Sequence, residues 1–154
     1  MLATGFITFM TAPPTIHGSA VVYNRFGILV LGASGSGKST LINRLIEHGE
    51  QQNVFCRWVG DDRLRVEQQS QKIIVRPAEA IQGLSERYHL GIERVRFVES
   101  AAIDLVVELK PKVELERLPD LSVHGEFPAI PSLAVGERDA SAAISLILAR
   151  ITAL

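Results

Sequence analysis

Eight consecutive residues, Gly32-Ala33-Ser34-Gly35-Ser36-Gly37-Lys38-Ser39, have the types and the spacing of a loop that wraps phosphate. Glycines at 32, 35 and 37 let successive backbone N–H groups turn inward around phosphate oxygens. Lys38 has the reach to follow the β and γ phosphates of a nucleoside triphosphate, and the Ser39 hydroxyl suits a place in the shell of a Mg²⁺ ion. With Thr40 these residues form the expected binding set for ATP and Mg²⁺, and Lys38 is expected to face solvent in the free protein.

Such a loop needs a strand before it and a helix after it, so that the positive end of the helix meets the same anion. Both flanks are present. Ile28-Leu29-Val30-Leu31 reads as a buried strand, and Leu41, Ile42, Leu45 and Ile46 recur at helical spacing over about 38–48. Gly49 is placed where a left-handed cap would end that helix. Upstream, Phe6 to Phe9 reads as an edge strand or loose arm before Pro13-Pro14, and Thr15 to Val22 as a strand that turns at Asn24 into the pre-loop strand. Downstream the pattern predicts strands over 54–60, 63–68, 72–76 and 102–109. Mixed short strand and turn is expected from Pro77 to Leu84, a polar surface segment over 111–123, and an edge segment over 127–135. Asp139 caps a final helix whose apolar face carries Ala143, Ile144, Ile147, Leu148 and Ile151. One helix among many strands, then a C-terminal helix, departs from regular βαβ alternation and predicts an α/β domain with a mixed sheet.

A chain of 154 residues, 47% hydrophobic, carries one substantial core, taken as residues 14–154 with residues 1–13 as an arm. A net charge of −1 gives no basic face for a polyanion, so nucleic acid is not an expected partner. No apolar stretch is long enough to span a membrane, and the first 24 residues hold no Lys or Arg, so a cytoplasmic location is expected. The single cysteine, Cys56, reads as a small buried hydrophobe.

A second chemical feature is Asp61-Asp62 at the end of the Phe55 to Gly60 run. Phosphoryl transfer needs one group to orient or deprotonate the acceptor and another to hold the metal. Adjacent acids can point in different directions and divide that work, or they can be a plain Asp-Asp-Arg turn.

Taken together, Ile16-His17-Gly18, the run Gly27 to Ser39 and Val59-Gly60-Asp61-Asp62-Arg63 resemble the catalytic domain of HPr kinase/phosphorylase, bacterial enzymes that phosphorylate a serine of the phosphocarrier protein HPr. The similarity covers about residues 14 to 151 and matches short forms without the N-terminal domain. The resemblance implies that Asp61 is the general base toward the acceptor serine and the acid in the reverse phosphorolysis, with Asp62 supporting the metal and the active-site network. It implies that His17 tunes Asp61 beside the transferring phosphate and that Glu86 is a second acid near Mg²⁺. Arg138 is the nearest counterpart of a basic residue the family carries in a late loop. HPr as partner and a homo-oligomer, commonly a hexamer, are implied in the same way. Thr40 stands where the family has an acid, and Tyr88-His89 where it has Arg-Gly. Two other readings stand beside an HPr kinase: a regulatory module that binds ATP without efficient transfer, and a small-molecule kinase, for which no Arg-rich lid insertion is visible.

Overall fold

The computed structural model of the chain describes residues 14–78, 82–87 and 89–154. The expected strand at Phe6–Phe9 and the substituted Tyr88 lie outside them. Among the described residues eleven strands and two α-helices follow in the order β1 (Thr15–His17), β2 (Ser19–Tyr23), β3 (Phe26–Leu31), α1 (Lys38–Gln51), β4 (Cys56–Gly60), β5 (Arg63–Gln69), β6 (Lys72–Pro77), β7 (Leu84–Arg87), β8 (Gly91–Arg94), β9 (Ala101–Ala102), β10 (Leu105–Lys110), β11 (Ser132–Gly136) and α2 (Ala140–Thr152).

The central sheet has the order β11-β10-β3-β2-β4, with β10 parallel to both β3 and β11 and β2 antiparallel to its neighbours. It is covered on both faces, which is why β3 and β10 read as continuous apolar runs rather than as alternating ones. On one face Val21, Ile28, Val30, Val107 and Val135 pack against Leu41, Ile42 and Leu45 of α1 and Ala143, Ile147 and Ile151 of α2. On the other, Ala20, Leu29 and Val106 meet Val59, Leu64, Ile73 and Val75, under the antiparallel sheet β1-β5-β6-β9. The expected mixed α/β architecture with a C-terminal helix is the one observed. Asp139 caps α2, its carboxylate accepting from the Ala142 N–H at 3.4 Å.

Several expected boundaries move. The strand expected over Thr15 to Val22 is cut at Gly18, and its halves β1 and β2 join different sheets. Similarly, the run expected over 102–109 is divided between β9 and β10. The edge segment at 127–135 contains a true edge strand only over Ser132–Gly136. Gly49 does not cap α1; it lies inside the helix, where a Cβ would sit 2.8 Å from Cys56 Cβ and 3.2 Å from the Val54 carbonyl. The left-handed residue after the helix is Asn53, with φ 57°. Beyond Leu84, β7 and β8 form a two-stranded hairpin with Glu86 opposite Ile92.

Candidate active site

The phosphate loop joins β3 to α1 at the end of the central sheet, where the parallel strands β3 and β10 finish. Gly35 and Gly37 have φ of 78° and 99°, a left-handed backbone that favours glycine. Gly37 is also the N-cap of α1, with no side chain capping the helix and no acid in its first turn. The first N–H groups of α1 are thus left for an anion. The carbonyls of the loop are taken from outside: the Arg138 Nε donates to Gly35 O at 3.1 Å and the Arg138 N–H to Ser36 O at 3.1 Å. Ser36 Oγ is buried with no hydrogen-bond partner among the described residues.

Lys38 corrects one expectation. It is only 6% exposed, not solvent-facing, and its ammonium donates to Gly32 O at 3.0 Å and Ala33 O at 3.3 Å. Those carbonyls hold the cation inside the loop, where an incoming phosphate can take it over.

Three elements, β2, α1 and β7, converge on Asp61. Its Oδ1 accepts from the Ser19 hydroxyl at 2.8 Å and the Ser39 hydroxyl at 2.7 Å. Its Oδ2 accepts from the Ser85 hydroxyl and the Glu86 N–H, both at 3.2 Å. Asp62 departs in another direction. At φ 68° it breaks the strand, and its exposed carboxylate pairs with His17 Nε2 at 3.3 Å. Antiparallel pairing of β1 with β5, His17 opposite Arg63, brings that histidine there.

His17, Lys38, Ser39, Thr40, Asp61, Asp62, Glu86 and Arg138 all line one cleft of about 900 Å³. These eight sequence-predicted residues are therefore brought together, including Arg138, whose motif match is poor but whose contacts with the loop are direct, whereas Gly32, Ala33 and Ser36 of the expected binding set do not line the cleft. Ser19 and Ser85 escaped sequence reasoning. Each is a buried serine, and the signal that marks Ser19 is a polar residue opening an apolar strand. At the far wall, the Lys112 ammonium and the Ala142 N–H hold the Asp139 carboxyl below its ordinary value.

The donor set fits Mg²⁺ bound with a triphosphate. Among the described residues no three His, Cys, Asp or Glu side chains form a metal-holding group. Mg²⁺ characteristically takes one or two protein ligands together with phosphate oxygens and water, and Ser39 and Glu86 at the cleft are suited to that part.

No protein-family model matches the chain. It is 32% identical over 139 residues to the HPr kinase/phosphorylase of Caldicellulosiruptor bescii, covering 84% of this chain and 43% of that protein. The Geobacter sulfurreducens HPr kinase/phosphorylase is 34% identical over 129 residues, 76% of this chain and 39% of the relative. This chain thus spans less than half the length of these curated relatives. In fold it is similar to the solved Hpr(Ser) kinase/phosphatase of Coxiella burnetii, with a TM-score of 0.74, 20% identity and coverage of 90% of this chain and 88% of that one. With the phosphate loop, the Asp61 hub and the His17–Asp62 pair in one cleft, these matches make the chain an HPr kinase catalytic-domain-like protein.

Proposed function

We propose that the chain is an ATP-dependent protein kinase that transfers the γ-phosphoryl group to a serine hydroxyl of an HPr-like phosphocarrier. The observation that carries this reading is the hydrogen bond from Ser39 to Asp61, which ties the phosphate loop to the aspartate pair inside an open cleft. A loop built only to hold a nucleotide has no use for a second acid, Asp62, standing exposed beside a histidine at the mouth of that cleft. The loop N–H groups and Lys38 bind the phosphates, and Ser39 with Glu86 would hold Mg²⁺. That ion, when bound, neutralises charge that builds on the transferring phosphoryl group. The chain's own residues align the acceptor and accept its proton.

Incubation with γ-labelled ATP, Mg²⁺ and purified HPr tests the proposal: label should pass to one HPr serine, and replacing that serine should stop it. The substitution of the family's Arg-Gly by Tyr88-His89 favours a second reading, a nucleotide-binding regulatory module. Tight ATP binding without transfer to HPr, under any metal or phosphate condition, would select it.

A further inference from the structure

We propose that the β7–β8 hairpin is the docking element for a protein acceptor, with Leu90 and Ile92 receiving apolar side chains that flank the acceptor serine. The proposal rests on the kinase reading and names the kind of surface its acceptor must present.

The root of the hairpin belongs to the site. The Ser85 hydroxyl and the Glu86 N–H donate to Asp61, and the Val95 N–H closes the root by donating to the Gly83 carbonyl at 3.0 Å. From there β7 and β8 run out with no third strand beside them among the described residues. A two-stranded ribbon is marginal in water unless something packs on it or ties it. Here the ties are polar. Arg87 Nε pairs with Glu93 at 2.9 Å, and the Leu90 N–H donates to the Arg87 carbonyl at 3.0 Å.

The apolar residues of the outer half have no such use. Ile92 is 71% exposed and Leu90 69%, and neither side chain is part of the two apolar layers of the core. Single exposed apolar residues are ordinary on a protein surface, so exposure alone decides nothing. Val113 and Leu118 are more exposed still, yet they do not line the cleft.

Ile92 is set apart by its place. It stands directly opposite Glu86, the residue whose N–H bonds to Asp61, and residues opposite one another share a face of the ribbon. That face is turned to the substrate, since Leu84, Glu86 and Ile92 line the cleft together with Lys38 and Asp61. A protein that brings a serine hydroxyl into the cleft beside Asp61 therefore lies over Glu86 and over Ile92. A small-molecule acceptor would leave both apolar side chains in water, whereas a protein acceptor buries them. The charges around them do not favour a charged partner: Glu86 and Glu93 are matched by Arg87 and Arg94. An apolar anchor inside a balanced polar rim is the arrangement of a protein contact, and its complement is an apolar patch beside the serine.

The experiment measures transfer from labelled ATP to HPr, with KM for HPr and kcat read separately, and Mg·ATP affinity by isothermal titration. Leu90→Gln with Ile92→Thr makes the tip polar while keeping residues suited to an exposed turn and strand, and Ile92→Thr alone takes its place if the pair does not fold. Leu90→Met with Ile92→Val keeps the tip apolar. Val113→Thr with Leu118→Gln removes apolar surface away from the cleft. The polar pair should raise KM for HPr about tenfold or more, with kcat and Mg·ATP affinity within about twofold of wild type, because truncating an anchor weakens partner binding alone. The apolar pair and the distant pair should stay within about threefold of wild type in all three measurements. A wild-type KM in the polar pair, a fall in its kcat without a rise in KM, or an equal rise in KM in the apolar or the distant pair overturns the docking element and leaves the kinase reading intact. A wild-type protein that binds no Mg·ATP, or binds it and transfers nothing to HPr, overturns the kinase reading and this proposal with it.

Discussion

Replacing Ser19 with alanine removes one oxygen atom from the centre of the site. That oxygen is wholly buried, donates to Asp61 Oδ1 at 2.8 Å and accepts the Asp62 N–H at 3.0 Å. A hydrogen bond to a charged group contributes about 1.5–3 kcal/mol and a neutral one about 0.5–1.5 kcal/mol, so losing both costs about 2–4 kcal/mol. Little relief is available. The neighbouring backbone is fixed by the pairing of Ser19 with Val30, which leaves no path for water without disturbing β2. For a chain of this length each kcal/mol lowers Tm by about 2–4 °C, and the expected fall is therefore about 5–15 °C. With a urea m-value of about 2 kcal/mol/M, the unfolding midpoint should drop by about 1–2 M. Ser85→Ala is the internal comparison, since its hydroxyl gives Asp61 only one bond, at 3.2 Å. Urea titration of both variants decides the matter. A Ser19→Ala loss under about 0.5 kcal/mol, or one no larger than that of Ser85→Ala, would refute a serine that supports both acids.

Lys38→Ala should abolish measurable Mg·ATP binding by isothermal titration while the far-ultraviolet circular dichroism stays native, because among the described residues its ammonium bonds to the carbonyls of Gly32 and Ala33 alone. Gly49→Ala should lower stability by up to about 2 kcal/mol in urea titration: the helix propensity gain of about 1 kcal/mol is set against overpacking of about 1–3 kcal/mol where the new Cβ meets Cys56 Cβ at 2.8 Å. Burial pushes the Cys56 thiol up to about 12, from 9.0, so the folded state keeps a proton that the unfolded chain releases. Stability should accordingly fall as pH rises from 9.0 toward 12, Cys56→Ala should flatten that fall in urea midpoints, and a thiol reagent at pH 8 should label Cys56 only on unfolding.

Sequence reasoning reached those parts of the fold that local pattern encodes. β3 and β10 are apolar runs because both of their faces are covered, and α2 shows its buried stripe at Ala143, Ile147 and Ile151 behind the Asp139 cap. Misreadings arose where a residue's reason lies across the chain. Gly18 looks like an ordinary strand glycine, yet it is where the chain leaves one sheet for the other, and its N–H is bonded to Asp62, far along the sequence. Gly49 carries a cap's signature, but it is glycine because Cys56 and Val54 press against it. Neither constraint exists in the helical or strand pattern around these residues.

The same division explains the site. Its phosphate loop is contiguous and therefore legible, whereas the partners of Asp61 lie 42, 22 and 24 residues away in sequence, at Ser19, Ser39 and Ser85. A general signal for them does exist. Among the described residues the buried polar or charged side chains are Ser19, Ser36, Lys38, Asp61 and Ser85. Two belong to the phosphate loop, and the other three are bonded to one another through the Asp61 carboxylate. Burying polar groups is costly unless each is satisfied, and chains that do so elsewhere use them to fix a core. Here both layers of the core are apolar, so the fold has no need of them for packing. Their concentration at one end of the central sheet, with Ser36 left unpartnered and Asp62 held in a left-handed conformation, is a local inconsistency with the rest of the molecule. A bound triphosphate that engages Ser36, Lys38 and Ser39 would resolve part of it.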